Sequence, residues 1–278
     1  MNKQKFWMFT LVVLGVGLAN LYLFSGQATA HSMGLLEKQL RGSVQSYEAR
    51  TLLINTQTNA LVRAAAENTA GLSADAKADE SLLATATSSV AAQEQQRGGF
   101  RETHGLVVVA TSKGIARYKA GKGNALEEAD KAPRYPFLRD ALEGNAKQGY
   151  GISGDTLYRF SAVPGPKGGA LLVGYAIEKD WSDGLKGDIG ADLTMLLEGK
   201  VIASTLSQSD QATVAKLGKK PFGKGVDVGE AATLGKLPLP LLFASAPAHR
   251  AVPIALAGPS GAQVVISLPA KDAVGAVA

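Results

Sequence analysis

Apolar positions are spaced at helical period through the first third of the chain and gather into strand-length runs after it. Phe6–Phe24, FWMFTLVVLGVGLANLYLF, is almost unbroken apolar sequence. At 1.5 Å per residue about 19 such residues cross a hydrocarbon core of roughly 30 Å. This predicts a transmembrane anchor over 6–24, with Trp7 and Tyr22 near its ends, where interfacial aromatics belong. Lys3 and Lys5 precede it and no acid occurs before Glu37. Residues 1–5 are therefore expected in the cytoplasm and everything after Ser25 outside it. Ala28-Thr29-Ala30 supports a rival reading as a signal-peptide cleavage site, although a signal h-region is shorter than this run. Either way the bulk of the chain is exported. No Cys follows the run, which excludes a lipid-anchored cysteine.

Residues 32–70 predict one long helix. Leu36, Leu40, Val44, Tyr47, Ile54, Leu61 and Ala65 recur at spacings of three, four or seven. Gly34 and Gly42 weaken its start, and Thr and Asn residues dilute the stripe at 55–59. Such a helix would rise about 55 Å. Two readings stay open: a stalk that dimerises and carries signal, or a helix packed along its own domain. Gly71-Leu72-Ser73 breaks it. Ser73–Gln95 predicts a second, weaker Ala/Ser-rich helix that Gly98-Gly99 ends.

Strand-type runs follow. Val107–Thr111 and Ile115–Lys119 make a hairpin across Ser112-Lys113-Gly114, and then comes a polar, Gly-bearing loop. Tyr135–Gly144 has helix-boundary signs, with Pro near its start and Gly at its end. Tyr158–Val163 and Ala170–Ile177 flank the Gly/Pro turn 164–169, the strongest hairpin signal in the chain. Lys179–Gly187 reads as a short helix or turn. Asp192–Thr205 is a hairpin turning at Glu198-Gly199. Ser209–Leu217 is a helix, followed by a Lys/Gly/Pro-rich loop and an apolar run at Leu239–Ala246. Arg250–Leu268 closes with the same grammar as the strongest hairpin: Arg, apolar run, Gly-Pro-x-Gly, apolar run. Hairpin, helix, hairpin thus occurs twice, with Lys113 to Arg159 spanning 46 residues and Lys200 to Arg250 spanning 50. Such a repeat predicts two α+β modules of similar build, each adequate for a five-stranded antiparallel sheet.

Composition narrows the function. With 278 residues, 46% of them hydrophobic, about two domains can each bury a core. There is no Cys, hence no disulfide framework and no thiolate metal site. A net charge of +5 with scattered Lys and Arg and 6% aromatics disfavours nucleic acid. Each Gly-Lys pair lacks the hydroxyl residue that a phosphate-cradling Walker loop needs next. Gly151-Ile152-Ser153-Gly154 is one residue short of a nucleophile elbow. His31, His104 and His249 lie far apart, so no metal and no cofactor is expected, and the chain is not expected to be an enzyme. Lys216, Lys219, Lys220 and Lys224 form a basic loop, read as solvated rather than lipid-binding.

Over about residues 32–270 the pattern resembles the double Cache family of extracytoplasmic sensor domains. Thr156–Glu178 carries the resemblance most strongly, followed by Trp181-Ser182-Asp183-Gly184-Leu185-Lys186, Gly190-Ala191-Asp192-Leu193-Thr194 and Ile202-Ala203-Ser204-Thr205. The resemblance implies a long helix and two tandem PAS-like modules: a membrane-distal one at 97–180, after the helical segment 32–96, and a membrane-proximal one at 181–270. It further implies a bacterial inner-membrane protein with its bulk in the periplasm, a small polar ligand held in the distal module, and a homodimer through the stalk. A second span and a cytoplasmic output domain are also implied. Lys271–Ala278 is too short to be that span, so the expectation divides between a truncated receptor and a single-span envelope scaffold that binds a protein partner.

A polar ligand over a sheet needs a few fixed donors. Arg supplies a planar fork for a carboxylate, and Tyr a ring with a hydroxyl. Candidate ligand contacts are Arg117, Tyr118, Tyr135, Tyr150, Tyr158, Arg159 and Tyr175. Alternation along a strand means that Tyr158 and Arg159 face opposite ways, as do Arg117 and Tyr118.

Overall fold

The computed structural model describes residues 3–96, 102–127, 135–219, 226–230, 247–258 and 261–270. Helix α1 runs without a break from Lys3 to Asn68, 66 residues. The expected anchor and the expected 32–70 helix are one element, because the segment holds no proline and Gly34 and Gly42 alone cost too little to end it. Among the described residues, no helix is long and apolar enough to cross a membrane.

Helix α2 is Glu80–Gln96, starting later than its apolar pattern predicts. Asp79 caps it, its Oδ1 accepting from the Leu82 N–H at 3.0 Å. The chain just before is held by turn contacts instead: Ala74 N–H donates to Lys167 O and Ser112 N–H to Ala74 O, each at 2.9 Å. Leu72 fills a notch that only glycine leaves open, since a Cβ on Gly165 or Gly169 would lie 2.9 or 2.8 Å from its side chain.

The N-terminal module is a six-stranded antiparallel sheet of β1 (His104–Thr111), β2 (Gly114–Lys119), β3 (Gly123–Glu127), β4 (Lys147–Ser153), β5 (Thr156–Pro164) and β6 (Ala170–Ala176), in the order β3-β2-β1-β6-β5-β4. Helix α3 (Pro136–Leu142) lies on one face, and α1 and α2 on the other. Sequence patterning misses β3 and β4. Both are edge strands rich in Gly and polar residues, without the apolar run that marks a buried strand.

Helix α4 (Lys179–Ile189) leads into the second module. Its sheet is β8-β7-β11-β10-β9, from β7 (Asp192–Leu197), β8 (Lys200–Ser204), β9 (Val226–Glu230), β10 (Pro247–Ala255) and β11 (Ala262–Pro269). Helix α5 covers Gln208–Ala215, capped by Ser207, and a 3₁₀ turn follows over Lys216–Lys219. The expected run at 239–246, the basic-loop residues Lys220 and Lys224 and the tail 271–278 lie outside the described residues. The two sheets share one topology, with β1, β2, β6, β5 and β4 equivalent to β7, β8, β11, β10 and β9. The internal repeat is therefore structural.

Helix α1 spans both sheets. Leu36, Leu40 and Tyr47 join a core with Leu193, Val264 and Ile266 of the second module. Leu61, Val62, Ala65 and Ala66 join one with Val107, Val109, Leu171 and Val173 of the first. The apolar stripe that allowed a free-standing dimeric stalk is thus buried against the chain's own sheets. One clip joins the modules directly: Tyr150 N–H of β4 donates to Ala257 O, beyond β10, at 2.9 Å. Beside it Gly258 has φ +154°, and a Cβ there would lie 2.2 Å from the Tyr150 carbonyl oxygen.

Candidate functional site

The seven candidate residues divide between the two faces of the first sheet, as strand alternation requires. Arg117, Tyr135 and Tyr158 lie on the α3 side. An Arg117 terminal nitrogen donates to the Tyr135 hydroxyl at 3.2 Å. The Tyr158 ring stacks on Phe160 with centroids 5.6 Å apart, and Lys119 Nζ sits 5.8 Å from it. Phe160 rests on glycines: a Cβ on Gly151 or Gly174 would come within 2.6 or 2.7 Å of its ring. Phe137 occupies the space over Gly149 in the same way. Among the described residues this face is packed with the protein's own aromatic rings.

Tyr118, Tyr150, Arg159 and Tyr175 lie on the α1–α2 side. There the sheet meets the polar interruption in the α1 stripe. Arg159 on β5 is 2% exposed. One terminal nitrogen donates to Thr58 Oγ1 at 2.9 Å and Asn55 Oδ1 at 3.3 Å, and the other bonds the Glu102 carboxylate. The guanidinium carbon lies 5.2 Å from the centre of the Tyr175 ring, which forms its floor. Gln148 of β4 donates to the Asn55 carbonyl. The residues that dilute the stripe are those that receive Arg159.

Polar groups around this arginine outnumber their bonds. The Tyr47 hydroxyl lies among those of Thr51 and Tyr150 and within electrostatic reach of Arg159. These three hydroxyls meet only one another, and Arg159 Nε has no hydrogen-bond partner. Trp181 of α4 faces the Glu102 carboxylate. Beside them His104 Nδ1 meets Glu94 Oε2 at 3.0 Å, and Glu94 also accepts the His104 backbone N–H at 3.1 Å. Burial raises the Glu102 carboxyl pKa above the usual carboxylate range, outweighing the opposing pull of Arg159. Burial likewise holds Tyr47 and Tyr175 well above the ordinary tyrosine value and raises Tyr150. These tyrosines remain neutral donors.

Sequence reasoning selects Arg159, Tyr150 and Tyr175 and misses Tyr47, Thr51, Asn55, Thr58, Glu94, Glu102 and Trp181. For Asn55 and Thr58 a signal existed, since polar residues in register with a buried stripe require a buried partner. Glu102 stands just outside a strand in polar sequence and gives no local sign.

No family model matches the chain, and no curated protein matches it. Solved structures to which the chain is similar include sensory, periplasmic or extracellular domains of chemoreceptors and histidine kinases. The ligand-binding domain of the Campylobacter jejuni chemoreceptor Tlp3 in complex with L-norvaline aligns at TM-score 0.49 and 11% identity, covering 89% of this chain and 94% of that one. The same sensory domain with isoleucine bound aligns at 0.48 and 9% identity, covering 90% and 97%. The Vibrio cholerae LuxQ periplasmic domain aligns at 0.39 and 12% identity, covering 88% and 99%.

Proposed function

We propose that this chain is the extracytoplasmic sensing part of a membrane-anchored signalling protein, and that the junction around Arg159 is its ligand-responsive centre. The observation that carries this reading is the shared helix. Helix α1 is a wall of both cores, and each sheet holds it through an arginine, Arg159 to Asn55 and Thr58 and Arg250 to Glu37. A change at the first sheet is therefore felt by the element that continues towards the N-terminus. There α1 leaves Trp7, Leu11, Val12, Val13, Leu14 and Val16 more than half exposed, a surface suited to lipid. Residues 6–24 form the anchor in this reading, and 1–5 its cytoplasmic end. Thermal-shift screening of the full chain against amino acids, carboxylates and amines tests it. At least one class raises the melting temperature saturably; no response across the panel overturns the reading.

Dimerisation, in this reading, uses the face of α1 turned away from the sheets. Gly42, Ser46, Ala49, Leu53, Thr56 and Ala60 are exposed there at alternating spacings of four and three, a coiled-coil period. The chain has no cysteine, so single substitutions report cleanly. Ala49→Cys and Leu53→Cys cross-link in membranes, and a Cys at exposed Lys200 does not.

A second reading is an envelope scaffold that binds a protein partner through its modules. It is favoured by the α3 face, which Phe137, Tyr158 and Phe160 fill with their own rings. A stoichiometric partner co-purifying from membranes, with no small-molecule response, selects it.

A further inference from the structure

We propose that the Arg159 junction is a carboxylate-binding site, that Glu102 is its tethered occupant, and that a small free monocarboxylate competes with Glu102 for it. The inference rests on the sensing reading only for its consequence in signalling. The site chemistry stands on the geometry alone.

The junction is built for an acceptor. Donors from four elements gather around the Arg159–Glu102 pair: Trp181 on α4 at the carboxylate, Arg159 on β5, and Tyr150 on β4 with Tyr47 on α1 beside the guanidinium. Their residues are 9%, 2%, 6% and 3% exposed. Arg159 Nε has no hydrogen-bond partner, and the Tyr47, Thr51 and Tyr150 hydroxyls meet only one another. A buried guanidinium N–H left without an acceptor, beside hydroxyls that meet only one another, is a group that a native site rarely leaves unmet without a reason. A second oxygen-bearing group entering from solvent would meet them. Arg159 offers the planar fork and Tyr175 the ring beneath it.

Charge limits the ligand class. Arg159 is the only cation among these groups, and Glu94 lies close enough to oppose further negative charge on Glu102. A dianion such as phosphate would bring more charge than one buried guanidinium offsets. A monocarboxylate matches both the charge and the planar shape.

Glu102 is also placed to exchange. It precedes the first strand residue, His104, and takes no part in the sheet ladder. Its side chain is 19% exposed where Arg159 is 2% exposed, so the carboxylate sits at the solvent side of the pair. Withdrawal of Glu102 breaks no backbone pairing, whereas withdrawal of Arg159 would disrupt β5.

The test is chemical rescue in the full chain. Glu102→Ala lowers the melting temperature, and acetate at tens of millimolar restores about 3–5 °C relative to chloride at equal ionic strength. Wild type responds less, because its site is filled, and Glu102→Ala combined with Arg159→Met does not respond. Acetate acting no better than chloride on Glu102→Ala, or equally on the double variant, overturns the proposal. If Glu102→Ala does not fold, Glu102→Gln is read by Trp181 fluorescence in a Trp7→Phe background. A saturable change with acetate supports the site, and a featureless titration overturns it. Failure of rescue leaves the sensing reading standing. Failure of the ligand panel against wild type leaves rescue standing.

Discussion

Arg159 and Arg250 occupy equivalent strands of the two repeated sheets, and both reach α1, yet they do so in different media. Arg159 is buried and bonded to Asn55, Thr58 and Glu102. Arg250 is 23% exposed and meets Glu37 at 3.0 Å near solvent. The repeat kept the contact between strand arginine and helix and changed its surroundings. A pair open to solvent on one side adds less and is weakened by salt. A buried pair is costly to form and more costly to break from one side. The second module therefore grips α1 mainly through apolar packing, while the first adds a buried polar contact through Arg159.

That difference can be broken in several ways. The largest effect belongs to Arg159→Met, which strands Glu102 without its cation and costs about 3–5 kcal/mol in urea unfolding. Equal losses from Arg159→Met and Arg250→Met would remove the distinction between the modules. Next comes Gly258→Ala, which drives a Cβ into the Tyr150 carbonyl at a positive φ. About 2–3 kcal/mol is expected from such a clash, seen as separation of one unfolding transition into two as the clip between modules fails.

Arg250→Met follows, at about 1 kcal/mol or less and diminishing as salt is raised. A pH profile sharpens the contrast further. Because the folded Glu102 pKa is raised, the native state binds the proton before the unfolded state does as pH falls. Stability contributed at this residue rises on acidification towards the usual glutamate pKa of about 4.3 and is lost again as pH climbs through the folded value. Glu102→Gln flattens that part of the profile, and Glu37→Gln leaves it in place. The smallest effect is Tyr47→Phe, about 0.5 kcal/mol, because its hydroxyl meets only the neighbouring Thr51 and Tyr150 hydroxyls.

Legibility followed the strength of local patterning. The four apolar hairpins could be read from residues alone, because alternation or a short apolar run bounded by Gly and Pro leaves few other folds. Strands β3, β4 and β9 could not, the last lying in the stretch read as a Lys/Gly/Pro-rich loop, since an edge strand is fixed by its neighbour's free backbone groups rather than by its own side chains. The candidate site was half visible. Strand alternation already separated Arg159 from Tyr158, but which face met α1 and which was filled by Phe137 and Phe160 depended on packing between elements distant in sequence. The stripe on α1 was read correctly as a buried face, and it left open whether the chain itself or a second copy covered it.

The sequence by itself determined a repeated α+β unit strung on a long N-terminal helix, because periodicity, turn residues and the echo of Arg159 in Arg250 are properties of the chain. Only the tertiary structure decided that Arg159 is locked inside the α1 junction with Glu102. That pairing joins residues 57 apart in sequence, and no local preference selects one glutamate among the chain's acids. The selection comes from burial, which admits a charge only where another is already in place.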